Sequence, residues 1–272
     1  MTFPFRSIMN LRSVGGTGIL IGLVASLFSC NLQYHMLYYP TPHVPSEAEL
    51  AANHLQFWPA KADYRGFTGT TEIRNIKGTV VVFHGNGGTA DHREYYVTAL
   101  GSMGYRVILA EYPGYGARKG ELGEKSFVSD AQATVRLASE KYPGPLFLLG
   151  ESLGCGVVAA AARDKSLGIE ALILITPWDT LLAVAKSIYP LLPVGLFLKD
   201  RYDSVENLKS FRGKIAVVGA QRDEILPISH ADALYKSLTG DKRMWVIKGA
   251  GHNDWPMFVD AKKWQEFMDF VH

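Results

Sequence analysis

The 272-residue sequence is poor in several things, and each shortage removes a class of protein. Its two cysteines, Cys30 and Cys155, are too few for a disulfide framework or a zinc centre built on thiolates. No stretch is rich in lysine and arginine, and 28 basic side chains against 26 acidic ones leave a formal charge of +2. That gives no basic field for nucleic acid, so no nucleic-acid partner is expected. Proline and glycine number 13 and 27, which excludes collagen-like and wholly disordered chains. What is present is 47% hydrophobic and 20% charged residues, an enzyme-like composition with ample chain for a large core and one or two domains.

Acidic residues are missing altogether before Glu47, where the only charged side chains are Arg6 and Arg12. Between them and Cys30 runs an apolar stretch, Gly15 to Phe28. A basic start, a short apolar segment and a small residue at the boundary read as a secretory signal over residues 1–29. Its 14 residues rise by about 1.5 Å each, short of a hydrocarbon core of ~30 Å. Extension through Leu32 keeps an uncleaved anchor open. Leu27-Phe28-Ser29-Cys30 resembles a bacterial lipobox, with Phe28 bulkier than usual. That resemblance implies lipid attachment at Cys30 and a protein of the cell envelope held on a membrane. An incidental Cys30 behind a plain anchor is the alternative. Loss of residues 1–29 would remove two basic side chains and no acid, leaving the charges balanced.

Residues 30–58 are rich in tyrosine, proline and histidine without clear period and read as a linker packed on the globule. From residue 59 to 272 one α/β domain is expected. Short apolar runs at Thr79–Phe83, Arg106–Ala110, Leu146–Leu149, Ala171–Ile175, Ile215–Val218 and Met244–Ile247 do not alternate with polar residues. They predict parallel strands buried on both faces. Helices are expected between most of them, near 89–102, 126–141, 153–163, 229–238 and 257–271. The last shows an apolar face at Met257, Ala261, Trp264, Met268 and Val271. Strands alternating with helices give a mostly parallel sheet.

Three loops carry chemistry. Gly150-Glu151-Ser152-Leu153-Gly154 follows one predicted strand and opens a helix, the context of a G-x-S-x-G nucleophile elbow. The turn lifts the Ser152 hydroxyl above the strand ends and aims the Leu153 N–H at the same spot as an oxyanion donor. His84-Gly85-Asn86-Gly87-Gly88 follows another strand and frees backbone N–H groups. Asn86 is the expected second donor, with Gly87 as the alternative, and no phosphate-loop spacing is met. His84 is expected to be structural. Asp223 and His252 each lie in a loop directly after a predicted strand, and Ser152, Asp223, His252 is the chain order this elbow uses. Glu224 is the nearest rival acid. Glu151 is expected to hydrogen-bond beside the site rather than act as a second acid.

Residues from about Thr79 to His272 resemble the α/β-hydrolase superfamily, and within it the BEM46-like, or alpha/beta-hydrolase-domain, group of membrane-tethered serine hydrolases. Tyr112-Pro113-Gly114-Tyr115-Gly116, Ser204 in its segment, and Leu37-Tyr38-Tyr39-Pro40 match family motifs. Arg118, Glu111, Ala220 and Cys155 depart from them. The resemblance implies that Arg118 alters the pocket rim and its charge, and that Cys155 is a buried small residue. The apolar segment from Trp178 to Lys199 stands where the fold carries a cap, although ordinary helical packing on the sheet reads as well.

The expectation is a serine hydrolase that cleaves a small acyl ester or thioester through an acyl-enzyme, using Ser152, His252 and Asp223 with no metal or organic cofactor and no obligate protein partner. Peptide or amide cleavage by the same residues stays open, as does a catalytically silent envelope-binding lipoprotein.

Overall fold

The computed structural model describes residues 33–272. The expected leader and Cys30 lie outside the described residues. The strands are β1 (Leu55–Trp58), β2 (Gly66–Gly69), β3 (Gly78–Phe83), β4 (Tyr105–Ala110), β5 (Leu146–Glu151), β6 (Ala171–Ile175), β7 (Lys214–Ala220) and β8 (Lys242–Ile247). They form one sheet in the order β8-β7-β6-β5-β3-β4-β2-β1. Strands β3 to β8 pair in parallel, while β2 pairs antiparallel with both β4 and β1.

Six strands appear where the apolar runs predicted them. Every residue of β3 and β6 is buried, and their valines, leucines and isoleucines suit a pleated surface covered on both sides. Successive side chains point to opposite faces, so Val81 and Phe83 join one core layer while Val80 and Val82 join the other. The edge strand β8 departs from expectation: only Ile247 is buried. Strands β1 and β2 were not expected from the sequence. Four residues each, with glycine at both ends of β2, they carry too little period to read as strands. Phe57 lies opposite Phe67 across their ladder.

The helices used below are α1 (Glu47–Ala52), α2 (Glu94–Gly101), α3 (Glu124–Lys141), α4 (Leu153–Ala161), α5 (Leu181–Ile188), α6 (Ser204–Leu208), α7 (Ile228–Ser237) and α8 (Ala261–Val271). One face of the sheet is covered by α3, α4 and α7 through residues such as Phe127, Val135, Val157, Val158 and Leu234. The other is covered by α2 and α8 through Tyr96, Leu100, Trp264, Phe267 and Met268. Helices on both faces of a mostly parallel sheet are the fold class that the alternating pattern predicted.

Two helical expectations change in detail. The helix expected over 257–271 is split into a single turn at Trp255–Phe258 and α8. Asp260 divides them by capping α8, its Oδ1 accepting the Lys263 N–H at 2.8 Å. Met257 is therefore 86% exposed rather than part of the buried face. The expected linker also contributes structure: α1 opens with a capping box between Ser46 and Glu49, and β1 belongs to the sheet.

The segment from Trp178 to Lys199 does not lie flat on the sheet. Trp178, Leu181 and Val184 are buried, while Leu191, Leu192, Leu196 and Phe197 stand exposed, Leu191 by 94%. Beside it the chain enters the described structure. Gln33 accepts the Lys199 N–H at 2.7 Å, and Tyr38 is buried with its hydroxyl donating to Asp200 Oδ2 at 2.7 Å. Burial, then the neighbouring Tyr202 and Asp200, push the Tyr38 phenol far up, so it stays a neutral donor. Beyond it Tyr39 and Pro40 pair in parallel with Gly87 and Gly88. The N-terminal segment is thus a strap across the loop that follows β3.

Candidate active site

Strand β5 delivers Ser152 at its carboxyl end, and α4 starts at the next residue. Ser152 has φ 52° and ψ −113°, a conformation that L-residues rarely adopt and that costs on the order of 1–3 kcal/mol. Glycine on either side makes the turn possible. A Cβ on Gly154 would overlap the Phe83 carbonyl oxygen, and one on Gly150 would sit 2.6 Å from the Gly154 carbonyl. Without side chains there, α4 closes tightly onto β3 and β5.

Ser152, Asp223 and His252 meet at this edge. His252 Nε2 lies 2.9 Å from Ser152 Oγ, and His252 Nδ1 lies 2.7 Å from Asp223 Oδ2. Each of the three residues is only 8% exposed. Asp223 follows β7 and His252 follows β8, so two parallel strands set their spacing. The second carboxylate oxygen, Oδ1, accepts the N–H groups of Ile225 at 3.0 Å and Leu226 at 2.6 Å. Both oxygens are thereby satisfied and the carboxylate cannot rotate freely. Glu224, the rival acid, accepts the His252 backbone N–H at 3.3 Å and leaves the ring to Asp223.

The loop after β3 runs alongside. At Gly85 the loop runs against the elbow, where a Cβ would come within ordinary contact of Ser152 Cβ at 3.6 Å. Asn86, the next residue, is held by its carbonyl, which accepts the Tyr39 N–H at 2.9 Å and the Tyr115 hydroxyl at 2.7 Å. Leu153 is the first residue of α4, where an N–H has no partner within the helix. Ser152's own N–H is spent on the Ile175 carbonyl at 2.9 Å.

His84 is 1% exposed and lies between two acceptors, Nε2 at 2.9 Å from Glu111 Oε1 and Nδ1 at 2.8 Å from the Gly85 carbonyl. Its role is to pin the loop, as expected. Glu111 Oε2 also accepts the Ala90 N–H at 3.0 Å. Glu151 Oε2 receives the hydroxyls of Tyr95 and Tyr96 at 3.0 Å each and faces Arg93 Nε at 3.3 Å. Burial and then the Glu151 charge push the Tyr95 phenol up, so it remains a neutral donor. The sequence pointed to Glu151 as a hydrogen-bonding group but not to these partners, which come from α2 and the turn before it.

Arg118 does not charge the pocket rim. Its guanidinium forks onto Asp130 at 2.6 and 2.7 Å and is 12% exposed, so its charge joins the loop after β4 to α3. Cys155 is 1% exposed, with Sγ 3.1 Å from the Gly150 carbonyl. Burial pushes its thiol well up, which makes it a packing residue.

A hydroxyl, an imidazole and a buried carboxylate in one hydrogen-bonded chain, beside a helix start, can activate an oxygen nucleophile and stabilise an anion next to it. Known proteins share this architecture. A family model described as "Serine aminopeptidase, S33" matches residues 74–196, a span that holds Ser152 but neither Asp223 nor His252. An uncharacterised protein of Mycobacterium tuberculosis is 32% identical over 186 residues, 67% of this chain and 65% of that protein. The lysophosphatidylserine lipase ABHD12 of Danio rerio is 31% identical over 192 residues, 61% of this chain but only 50% of the lipase. The Pyrococcus furiosus esterase Pf2001 superposes with a TM-score of 0.63 at 17% identity, covering 86% of this chain and 97% of the esterase. The strand order, the strained serine and the superposition agree on the fold: a mostly parallel sheet with helices on both sides, the α/β-hydrolase fold.

Proposed function

We propose that the protein is a serine hydrolase that cleaves a carboxylic ester or thioester through an acyl-enzyme. The observation that carries this reading is the Asp223–His252–Ser152 chain of hydrogen bonds at 2.7 and 2.9 Å. In this mechanism Ser152 Oγ attacks the acyl carbon as its proton passes to His252 Nε2. The carbonyl oxygen becomes an oxyanion held by the Leu153 and Asn86 N–H groups. Asp223 fixes the imidazole with Nδ1–H toward itself and stabilises the imidazolium. Collapse breaks the bond to the leaving alcohol or thiol, which takes the proton from Nε2. Water then repeats the sequence on the acyl-serine, with His252 accepting its proton, and releases the acid.

Membrane tethering belongs to the same reading, through lipid on Cys30 or through the apolar stretch before it, as in the BEM46-like group. Support comes from the entry of the chain beside the cap and from Leu191, Leu192 and Leu196, which face solvent there. A cap resting on a bilayer would admit an acyl chain from the lipid. The likeness to a protein named as a lysophosphatidylserine lipase fits the same reading. No helix among the described residues is long and apolar enough to cross a membrane.

Peptide or amide cleavage is the second reading, favoured by the matched family's description. Turnover of p-nitrophenyl esters, acyl thioesters and aminoacyl anilides by the purified protein separates the two. Hydrolysis of esters or thioesters alone is the expected result, and selective hydrolysis of anilides would overturn it.

A further inference from the structure

We infer that His43, Asp91 and His92 form a binding site for one divalent transition-metal ion, with zinc the ion their donor set favours. His43 ends the strap just beyond its pairing with Gly87 and Gly88. Asp91 and His92 lie in the single helical turn, Ala90–Arg93, that follows the same loop. One donor atom from each of the three lies within 4.8 Å of the others.

The distances fit a shared ion better than direct pairing. His43 Nε2 and His92 Nε2 stand 3.6 and 3.9 Å from Asp91 Oδ2, too long for hydrogen bonds. Donors on a tetrahedral zinc with bonds of about 2.0–2.1 Å are separated by roughly 3.3 Å, so a slight tightening seats the ion. The two imidazole rings stack at 5.6 Å with an interplanar angle of 19°, an arrangement that would set like charges together if both were protonated.

Asp91 supplies the independent reason. Its side chain is 7% exposed, and its Oδ1 is buried without any hydrogen-bond partner. Neighbouring Arg93 is turned to Glu151 and does not neutralise it. An ionised carboxylate withdrawn from water in this way is costly unless a cation meets it. His92 Nδ1 lies 3.4 Å from Thr89 Oγ1. With Nδ1 as the donor to that hydroxyl, Nε2 keeps a lone pair for the metal, the outer bond that zinc-bound histidines commonly make. Two imidazoles and one carboxylate are the donors zinc takes, whereas magnesium and calcium prefer oxygen alone. The histidine side chains are 33% and 51% exposed, which leaves an entry path and a coordination position for water.

Such an ion would be structural. It would staple the strap to the loop whose Asn86 carbonyl the strap already holds, and it needs none of the proposed chemistry at Ser152. The test uses the full chain, stripped with a chelator and titrated with Zn²⁺ against a chromophoric chelator. One equivalent should bind, Tm should rise, and Co²⁺ in its place should give visible ligand-field absorption. His43→Gln and His92→Gln should each weaken binding at least tenfold, and Asp91→Asn should do the same. Unchanged far-UV circular dichroism shows that each variant is folded. Absence of binding to the intact chain would overturn the site. So would affinity unchanged in all three folded variants, because the ion would then sit on other residues.

Discussion

Ser152 shows how backbone and side chain divide the work at this site. Its φ of 52° holds the hydroxyl at the strand end, and Gly150 and Gly154 make room for that conformation rather than take part in chemistry. Asp223 differs from Glu224, its neighbour in sequence, by what it touches: two backbone N–H groups and the His252 ring. Asp223→Asn should leave the fold intact and lower kcat for an ester by about 10⁴-fold, because the amide stabilises the wrong imidazole tautomer; steady-state kinetics check this. Cys155 gives a second residue-scale outcome. With its thiol pKa raised by burial, it stays protonated at neutral pH. A thiol-specific chromogenic reagent should leave it unmodified in the native protein and modify it once the chain is unfolded in denaturant, as peptide mass mapping would show.

Among elements, the strap and the elbow matter most for the site, one holding the loop of Asn86 and the other placing Ser152. Tyr38 reaches across from the strap to Asp200, which is 5% exposed. Tyr38→Phe removes that donor and leaves a buried carboxylate oxygen short of a partner, which should cost about 2 kcal/mol in urea unfolding. The elements that could be read in the sequence were those with unbroken apolar runs, β3, β5 and β6 above all, since burial on both faces demands such runs. Strands β1 and β2 could not be read, because four residues carry too little period, and β2 with glycine at both ends looks like a turn until a neighbouring strand pairs with it. Asp260 likewise splits the last helix by a capping bond that an apolar period cannot reveal. The three residues of the hydroxyl–imidazole–carboxylate chain were legible because each lies at or in the loop after the carboxyl end of a strand. The partners of Glu151 were not, because Tyr95 and Tyr96 reach it only through the packing of α2.

At the scale of the whole molecule, the apolar segment from Trp178 to Lys199 buries Trp178 and Leu181 but leaves Leu191, Leu192 and Leu196 exposed. The end of that segment meets the strap, where Gln33 accepts the Lys199 N–H at 2.7 Å. Leu191→Glu combined with Leu196→Glu should lower turnover of an ester embedded in phospholipid vesicles at least fivefold while leaving turnover of a soluble short-chain ester unchanged. Equal turnover in both assays would detach the cap from any membrane role without touching the hydrolase reading. The proposed hydrolysis requires Ser152 to be a nucleophile. The most direct measurement is active-site labelling of the purified protein with a fluorophosphonate, followed by mass mapping of the modified peptide. One label per chain on Ser152, abolished by Ser152→Ala in a protein with unchanged circular dichroism, is the predicted result. A folded wild-type protein that takes no label, or a label that survives the substitution, would contradict it.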